Sequence, residues 1–128
     1  MAETRSGEAT IMRLFEAMEQ RDEAALAALV TDDFTMAWPQ SGERFRGLEN
    51  ALGALSIQDD VPTPEGEPRI VGGGDTWVVM MPLRYPEAGT VHYVGVFELR
   101  DGLVRASTEY FGAPFPPKPE RARFTDKA

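Results

Sequence analysis

The chain has 128 residues, 42% of them hydrophobic and 27% charged, which predicts one globular domain (residues 1–128) with its own core. A net charge of −8 argues against binding to nucleic acid or to an anionic membrane surface. The lack of cysteine excludes disulfides, thiolate metal sites and a cysteine nucleophile. Because neither a signal-peptide core nor a membrane-length apolar stretch is visible, we expect a cytoplasmic protein.

The first third of the chain predicts two helices after a frayed terminus over residues 1–6. Ser6 is a candidate N-cap for the first helix. Helical spacing then gives one apolar stripe: Ile11, Leu14, Phe15 and Met18. Asp22 is placed to cap a second short helix, which the turn formers at 31–33 are expected to end.

The middle of the chain predicts a strand over 34–38 and a return strand over 43–46. A third helix follows, and its apolar stripe includes Leu52. The acidic segment 57–68 contains three prolines, and its length predicts a lid or binding loop.

The rest of the chain predicts a meander of antiparallel strands. Expected strands occupy residues 69–71, 76–85, 90–100 and 103–111. Asp101-Gly102 is a strong hairpin signal. The Pro-rich tail over 112–128 predicts an extended segment. We expect this segment to fold across the domain or a partner subunit, with Phe115 as its anchor. Helices followed by strands predict an α+β fold, with three N-terminal helices on a strongly curved antiparallel sheet enclosing a pocket.

The chain resembles the SnoaL-like branch of the nuclear-transport-factor-2-like superfamily. The resemblance is carried by residues 13–18 with Asp22 and 31–34, by residues 38–47, and by residues 97–104 followed by 109–115. It implies a cone-shaped α+β fold, an internal pocket and a homodimer through the outer sheet face. It does not imply one activity, because members include isomerases, polyketide cyclases, epoxide hydrolases, dehydratases and binders without catalysis.

Two titratable residues on the late strands are candidate catalytic groups. The resemblance to a polyketide cyclase implies a histidine and an acid on neighbouring strands, here His92 and Glu109. His92 is alternatively an ordinary sheet or interface histidine. Glu109 in an apolar pocket would have a raised pKa and could act as a general base. Strand alternation puts Arg105 on the same face, which favours the alternative of an arginine-paired surface glutamate.

Two tyrosines are candidate hydrogen-bond donors to a ligand carbonyl. Alternation predicts that Tyr93 and Tyr110 share the opposite face from His92 and Glu109. They are alternatively plain core aromatics, and a bulge in either strand would change these assignments.

Candidate pocket walls are large apolar side chains on the predicted helices and strands. We expect ligand contacts from Trp38, Met36, Phe15, Met18, Leu52, Trp77, Met81 and Phe97. Each of these residues is alternatively an ordinary core residue.

Several chemistries are not supported by the sequence. Residues 72–74 lack the spacing of a phosphate loop, and one histidine without cysteine predicts no metal site; we expect no cofactor. No aspartate occupies 36–38, where a ketosteroid isomerase carries its base, and 92–97 lack the arginine and aspartates of epoxide hydrolases. The resulting hypothesis is binding of a small apolar organic molecule, with acid/base catalysis of cyclase, isomerase or hydrolase type. The alternative is a non-catalytic binding or protein-interaction module.

Overall fold

The computed structural model describes residues 2–57 and 62–126, in which helices pack on one curved, unclosed sheet. The helices are α1 (Ala2–Gln20), α2 (Glu23–Leu29) and α3 (Leu48–Ser56), and a short 3₁₀ helix spans Pro119–Phe124. The strands are β1 (Val30–Trp38), β2 (Glu43–Arg46), β3 (Thr63–Pro64), β4 (Arg69–Gly73), β5 (Thr76–Tyr85), β6 (Gly89–Arg100) and β7 (Leu103–Gly112). The predicted α+β class is therefore confirmed.

The strand order places the last strand in the middle of the sheet. The order is β2-β1-β7-β6-β5-β3, and β4 also pairs with β5. All pairs are antiparallel except β1–β7, which is parallel and was not expected from the sequence. Side chains from β1, β7 and β6 can therefore meet on the inner face of the sheet.

The core lies between α1, α2 and the inner face of the sheet. Its most completely buried side chains are Ile11, Leu26, Val79 and Val104. Trp77 is only 2% exposed, and its indole N–H donates to the Gly74 carbonyl at 3.0 Å. Its ring lies so close to Gly7 of α1 that a Cβ there would overlap it. This close approach attaches the first helix to the sheet.

Of four local predictions about the N-terminal region, the structure confirms one and contradicts three. Asp22 caps α2 as expected, since its carboxylate accepts from the Ala25 N–H at 3.1 Å. Helix α1 begins at Ala2, so the predicted start at Ser6 is wrong. Residues 31–33 lie in β1 and not in a turn, because they are held there by the bond from Thr31 to Asp33 and by the Asp33–Arg100 ion pair. Met18 does not complete the buried stripe of α1, since it is 38% exposed while Ala17 is buried.

The predicted loop over 57–68 is partly fixed to the sheet, although residues 58–61 lie outside the described part of the chain. The Glu65 N–H donates to the Pro82 carbonyl at 2.9 Å, and its carboxylate accepts from the Thr90 hydroxyl at 2.6 Å. These bonds place β3 along the edge of β5.

The Pro-rich tail does not fold across the domain in this structure, so that expectation is wrong for the single chain. Residues 112–126 are exposed, and Phe115 is 80% exposed. Among the described residues, no helix has the length and apolar character needed to cross a membrane.

Candidate functional site

Three adjacent strands bring together one carboxyl group and two hydrogen-bond donors. Glu109 of β7 points to the inner face, where the Trp38 Nε1–H donates to Oε1 at 2.9 Å. The Tyr93 hydroxyl donates to Oε2 at 2.7 Å. Both donors are uncharged, and no basic side chain is paired with Glu109 among the described residues. The carboxyl is therefore held by neutral dipoles alone.

A glycine explains how Tyr93 reaches Glu109 from a different register position. Tyr93 is paired with Phe111, whereas Glu109 is paired with Gly95. The tyrosine side chain extends along β6 over Gly95, where an added Cβ would overlap the phenol and come within 2.7 Å of the Phe97 ring. Only a residue without a side chain leaves space for the phenol here.

Aromatic rings pack against the two donors to Glu109. Phe111 contacts both donors, with centroid distances of 5.5 Å to Tyr93 and 6.0 Å to Trp38. Phe45 packs on the other side of Trp38 at 4.8 Å, and Phe15 of α1 lies 6.3 Å from Tyr93. Most of these pairs are edge-to-face, the arrangement that aromatic quadrupoles favour. Glu109 therefore lies beside an aromatic cluster and is partly buried.

Burial changes the proton affinity of both acidic groups. Burial raises the pKa of Glu109, and the hydrogen bonds from Trp38 and Tyr93 only partly oppose this effect. Burial, followed by the nearby Glu109 charge, raises the pKa of Tyr93 well above its usual value of 10.0. Tyr93 therefore remains a protonated donor at neutral pH, while Glu109 can gain and lose a proton closer to neutrality than an exposed glutamate.

A bulge in β7 changes the environment predicted for Glu109. The register shifts so that Glu98 pairs with Ala106 while Leu99 pairs with Val104, which leaves Arg105 as the extra residue. Arg105 is consequently on the outer face, where it forms an ion pair with Glu98. The expectation that Arg105 shares the face of Glu109 is wrong. The alternative that Glu109 is an arginine-paired surface glutamate is therefore wrong as well.

The other two candidate catalytic residues do not join this site. His92 is exposed on the outer face of β6, so the structure does not bring it to Glu109. Tyr110 is 42% exposed and is paired with Val94, so the expectation that it shares a face with Tyr93 is wrong. Tyr93 instead shares the inner face with Glu109, because the bulge precedes this part of β7.

The predicted wall residues divide into three groups. Trp38 donates to the carboxyl of Glu109, and Phe15 packs against Tyr93, the second donor. Met36, Phe97, Leu52 and Met81 lie in the core or pack against it. Trp77 is enclosed between Gly7 and Gly72, and Met18 is exposed, so neither borders Glu109.

An open groove of about 790 Å³ lies beside the site, between β2 and α3. Trp38 and Phe45 form its inner end, and Arg44, Arg46 and Glu49 lie along it. Trp38 thus borders the groove and also donates to Glu109. This groove is open, so it is not the enclosed pocket that the sequence predicts, and that pocket stays a prediction. In the described part of the chain, no group of side chains has the composition of a metal site.

Sequence reasoning missed Gly95, Phe111 and Gln40. Gln40 follows β1, and its side-chain amide forms two hydrogen bonds with the backbone of Phe111. Glycine in the middle of a long strand is a recognised sign of close approach, so Gly95 carried a usable signal. No sequence pattern identifies the partner of Gln40, because the contact spans 71 positions.

Residues 11–107 match the SnoaL-like domain, and the chain belongs to that family. The matched segment stops two residues before Glu109. A comparison with curated proteins gives no match. The solved structures that are similar to this chain are NTF2-like proteins, which confirms the superfamily expected from the sequence.

Three solved structures illustrate the similarity. A Kribbella flavida DSM 17836 protein with a provisional ketosteroid isomerase assignment is 23% identical, with a TM-score of 0.84, and the alignment covers 98% of this chain and 92% of that one. An NTF-2 like protein of unknown function from Burkholderia xenovorans LB400 is 27% identical over 97% and 96%, with a TM-score of 0.79. An epoxide hydrolase from M. tuberculosis, described as LEH-like, is 21% identical over 85% and 84%, with a TM-score of 0.66.

Proposed function

We propose that the protein binds a small, mainly apolar organic molecule beside Glu109 and transfers a proton on it. The observation that carries this proposal is a partly buried carboxyl group held by two neutral donors, whose rings pack among other aromatic side chains. Such a group has a pKa shifted towards neutrality, the condition under which a general base is most effective. The family and fold are compatible with this chemistry, since related folds include an epoxide hydrolase.

The simplest reaction is proton transfer next to a carbonyl group. The Glu109 carboxylate removes a proton from the carbon beside the carbonyl, and the electron pair of that C–H bond moves to form an enolate. Glu109 is then a neutral acid, and the Tyr93 O–H can donate to the negative enolate oxygen. Return of the proton from Glu109 to a different carbon gives an isomer. Attack of the enolate carbon on a second carbonyl of the same ligand closes a ring, the π electrons of that carbonyl move to its oxygen, and Glu109 returns its proton to the resulting alkoxide.

A hydrolase would use the same carboxylate on a water molecule. Glu109 would remove a proton from water as the water oxygen attacks a ring carbon of an epoxide, the ring C–O bond at that carbon would break, and the alkoxide formed would take up the proton from Glu109. His92 takes no part in either scheme, because it lies on the other face of the sheet.

The second candidate is a binding module without catalysis. The open groove between β2 and α3 favours it, because a ligand there would contact Trp38 without reaching the carboxyl oxygens. Both candidates predict ligand-dependent changes in Trp38 fluorescence, and only the first predicts chemistry.

The test uses 2-tetralone, an apolar bicyclic ketone, as a probe. We expect the protein to accelerate exchange of its α-hydrogens in D₂O, measured by NMR. Glu109→Gln should reduce the protein-dependent rate by about 10²–10⁴-fold, the usual contribution of a general base. His92→Gln is the matched control and should retain the rate. Binding without exchange would favour the second candidate, and equal exchange by Glu109→Gln would reject Glu109 as the base.

We also propose that the chain forms a homodimer through the outer face of the sheet. Val78, Val94 and Val96 are adjacent across β5 and β6 and are partly exposed, which leaves an apolar surface on that face. Tyr110 of β7 extends the same surface.

A cytoplasmic location stays a prediction.

A further inference from the structure

The side chain of Gln40 takes the place of a strand at the end of β7. The last pair of the parallel β1–β7 ladder is Ala37 with Thr108, after which β1 ends at Trp38 and Pro39 follows. Beyond that point the Gln40 Nε2–H donates to the Phe111 carbonyl at 3.0 Å. The Phe111 N–H donates to Gln40 Oε1 at 2.6 Å. One amide thereby satisfies both backbone groups of Phe111.

Phe111 is the residue that connects this backbone contact to the site. Its ring packs against Tyr93 and Trp38, the two donors to Glu109. The chain after Phe111 is exposed, so in the described residues the tail gives the ring no support. The amide of Gln40 is therefore the contact that fixes the end of β7 from the side of β1.

We propose that Gln40 is a positioning residue, whose amide holds the Phe111 ring against Tyr93 and Trp38, the two donors to Glu109, and so limits the access of water to that carboxyl. The catalytic meaning of this role rests on the proposed function. The physical effect does not, because water exclusion can be measured without a ligand.

The chemistry of the amide suits this role. A primary amide both donates and accepts, so it matches a backbone N–H and C=O together. A carboxylate at position 40 could only accept, and an aliphatic side chain could do neither. Loss of the amide would leave both Phe111 groups to water, and the end of β7 would be free to move away from β1.

The groups that act on the charge of Glu109 can be named from each neighbouring element. They are Tyr93 on β6 and the Trp38 indole on β1, and Phe111 on β7 contributes only its apolar ring. The nearest charged side chains on β2 are Glu43, Arg44 and Arg46, which line the groove beyond Trp38. Displacement of Phe111 should therefore change the proton affinity of Glu109 through hydration and not through a new charge.

The experiment follows the Trp38 indole N–H by ¹⁵N NMR while the pH is varied. This proton is bonded to Glu109, so its chemical shift reports the protonation of that carboxyl. In Gln40→Met, which keeps the length and removes the amide, we expect the titration midpoint to move to lower pH, because water stabilises the ionised carboxylate. Ser41→Ala is the matched control: it removes a hydroxyl bonded to the Trp38 carbonyl in the same turn and should leave the midpoint unchanged.

A second pair of variants tests the route through Phe111. Phe111→Ala should move the midpoint in the same direction, and adding Gln40→Met to it should produce no further shift. An unchanged midpoint in folded Gln40→Met would overturn the proposal, and so would a further shift in the Phe111→Ala background. If Gln40→Met fails to fold, Gln40→Asn, whose shorter amide cannot reach both backbone groups, gives the same test. Failure of the 2-tetralone assay leaves these results intact, because no ligand is used.

Discussion

The burial of Glu109 disfavours its ionised form, which is also the form that a general base requires. Its pKa is raised in the folded protein by burial, so folding favours the protonated form. The stability that this form contributes is fully present below the pKa of the unfolded chain and is lost as the pH rises through the folded value. The ionised carboxylate that a general base requires is therefore the less stable form of the folded protein.

This argument predicts a pH-dependent effect of Glu109→Gln on stability. The variant has a side chain that stays neutral, so its free energy of unfolding relative to the natural chain should increase as the pH rises from about 4 to about 8. Urea unfolding at a series of pH values measures the difference. A difference that stays constant across this range would show that ionisation of Glu109 does not oppose folding.

The contribution of Asp33, near the start of β1, to stability changes with pH in the opposite direction. Hydrogen bonds from Arg100, and then from Thr31, lower the pKa of Asp33 from 3.8 to about 2. Its contribution to stability is present above the unfolded value and is lost as the pH falls through the folded value. Asp33→Asn should therefore destabilise at neutral pH, with a difference that shrinks on acidification. Urea midpoints measure this difference, and a difference that stays constant on acidification would contradict the role of Asp33.

At the scale of elements, β6 depends on Gly95 to place Tyr93. A methyl group at this position would overlap the phenol and the Phe97 ring. We expect Gly95→Ala to destabilise the protein by about 1–3 kcal/mol, the usual cost of overpacking. The Trp38 indole signal should also change, because Glu109 loses its bond from Tyr93.

Gly53→Ala is the control for this effect. Gly53 lies in α3 with no heavy atom near the position of an added Cβ. Replacing a helical glycine by alanine should increase stability by about 0.5–1 kcal/mol. Equal effects of the two substitutions in chemical denaturation would contradict the close approach described at Gly95.

The elements themselves were largely predictable from the sequence, and the site was only partly so. Residues 76–85 and the turn at Asp101-Gly102 were placed correctly because their alternation and turn chemistry are local signals. The bulge at Arg105 determines which side chains of β7 point to the inner face of the sheet. No local sequence pattern predicts this bulge. The contact of Gln40 with Phe111 depends on the parallel β1–β7 pair, a long-range feature that periodicity does not reveal.

For the whole molecule, the outer sheet face predicts an assembly. If the apolar surface around Val96 is the dimer contact, Val96→Glu should produce a monomer, because a charge buried there would have no partner. Size-exclusion chromatography with light scattering measures the mass. Ile57→Glu is the control, since Ile57 directly follows α3, is 78% exposed and lies away from this face. A monomeric natural chain, or a dimer that persists in Val96→Glu, would reject this interface.

The central position of β7 also has a consequence for the order of folding events. Trp38 and Glu109 are 71 positions apart, and the strand that carries Glu109 must insert between β1 and β6, which are separated in the sequence by residues 39–88. Closing so distant a contact is slow compared with forming helices and hairpins. In refolding, the α1 and β5–β6 signals should recover first, and the Trp38 signal should recover in the slowest phase. The carboxyl site is thus the last part of the molecule to assemble.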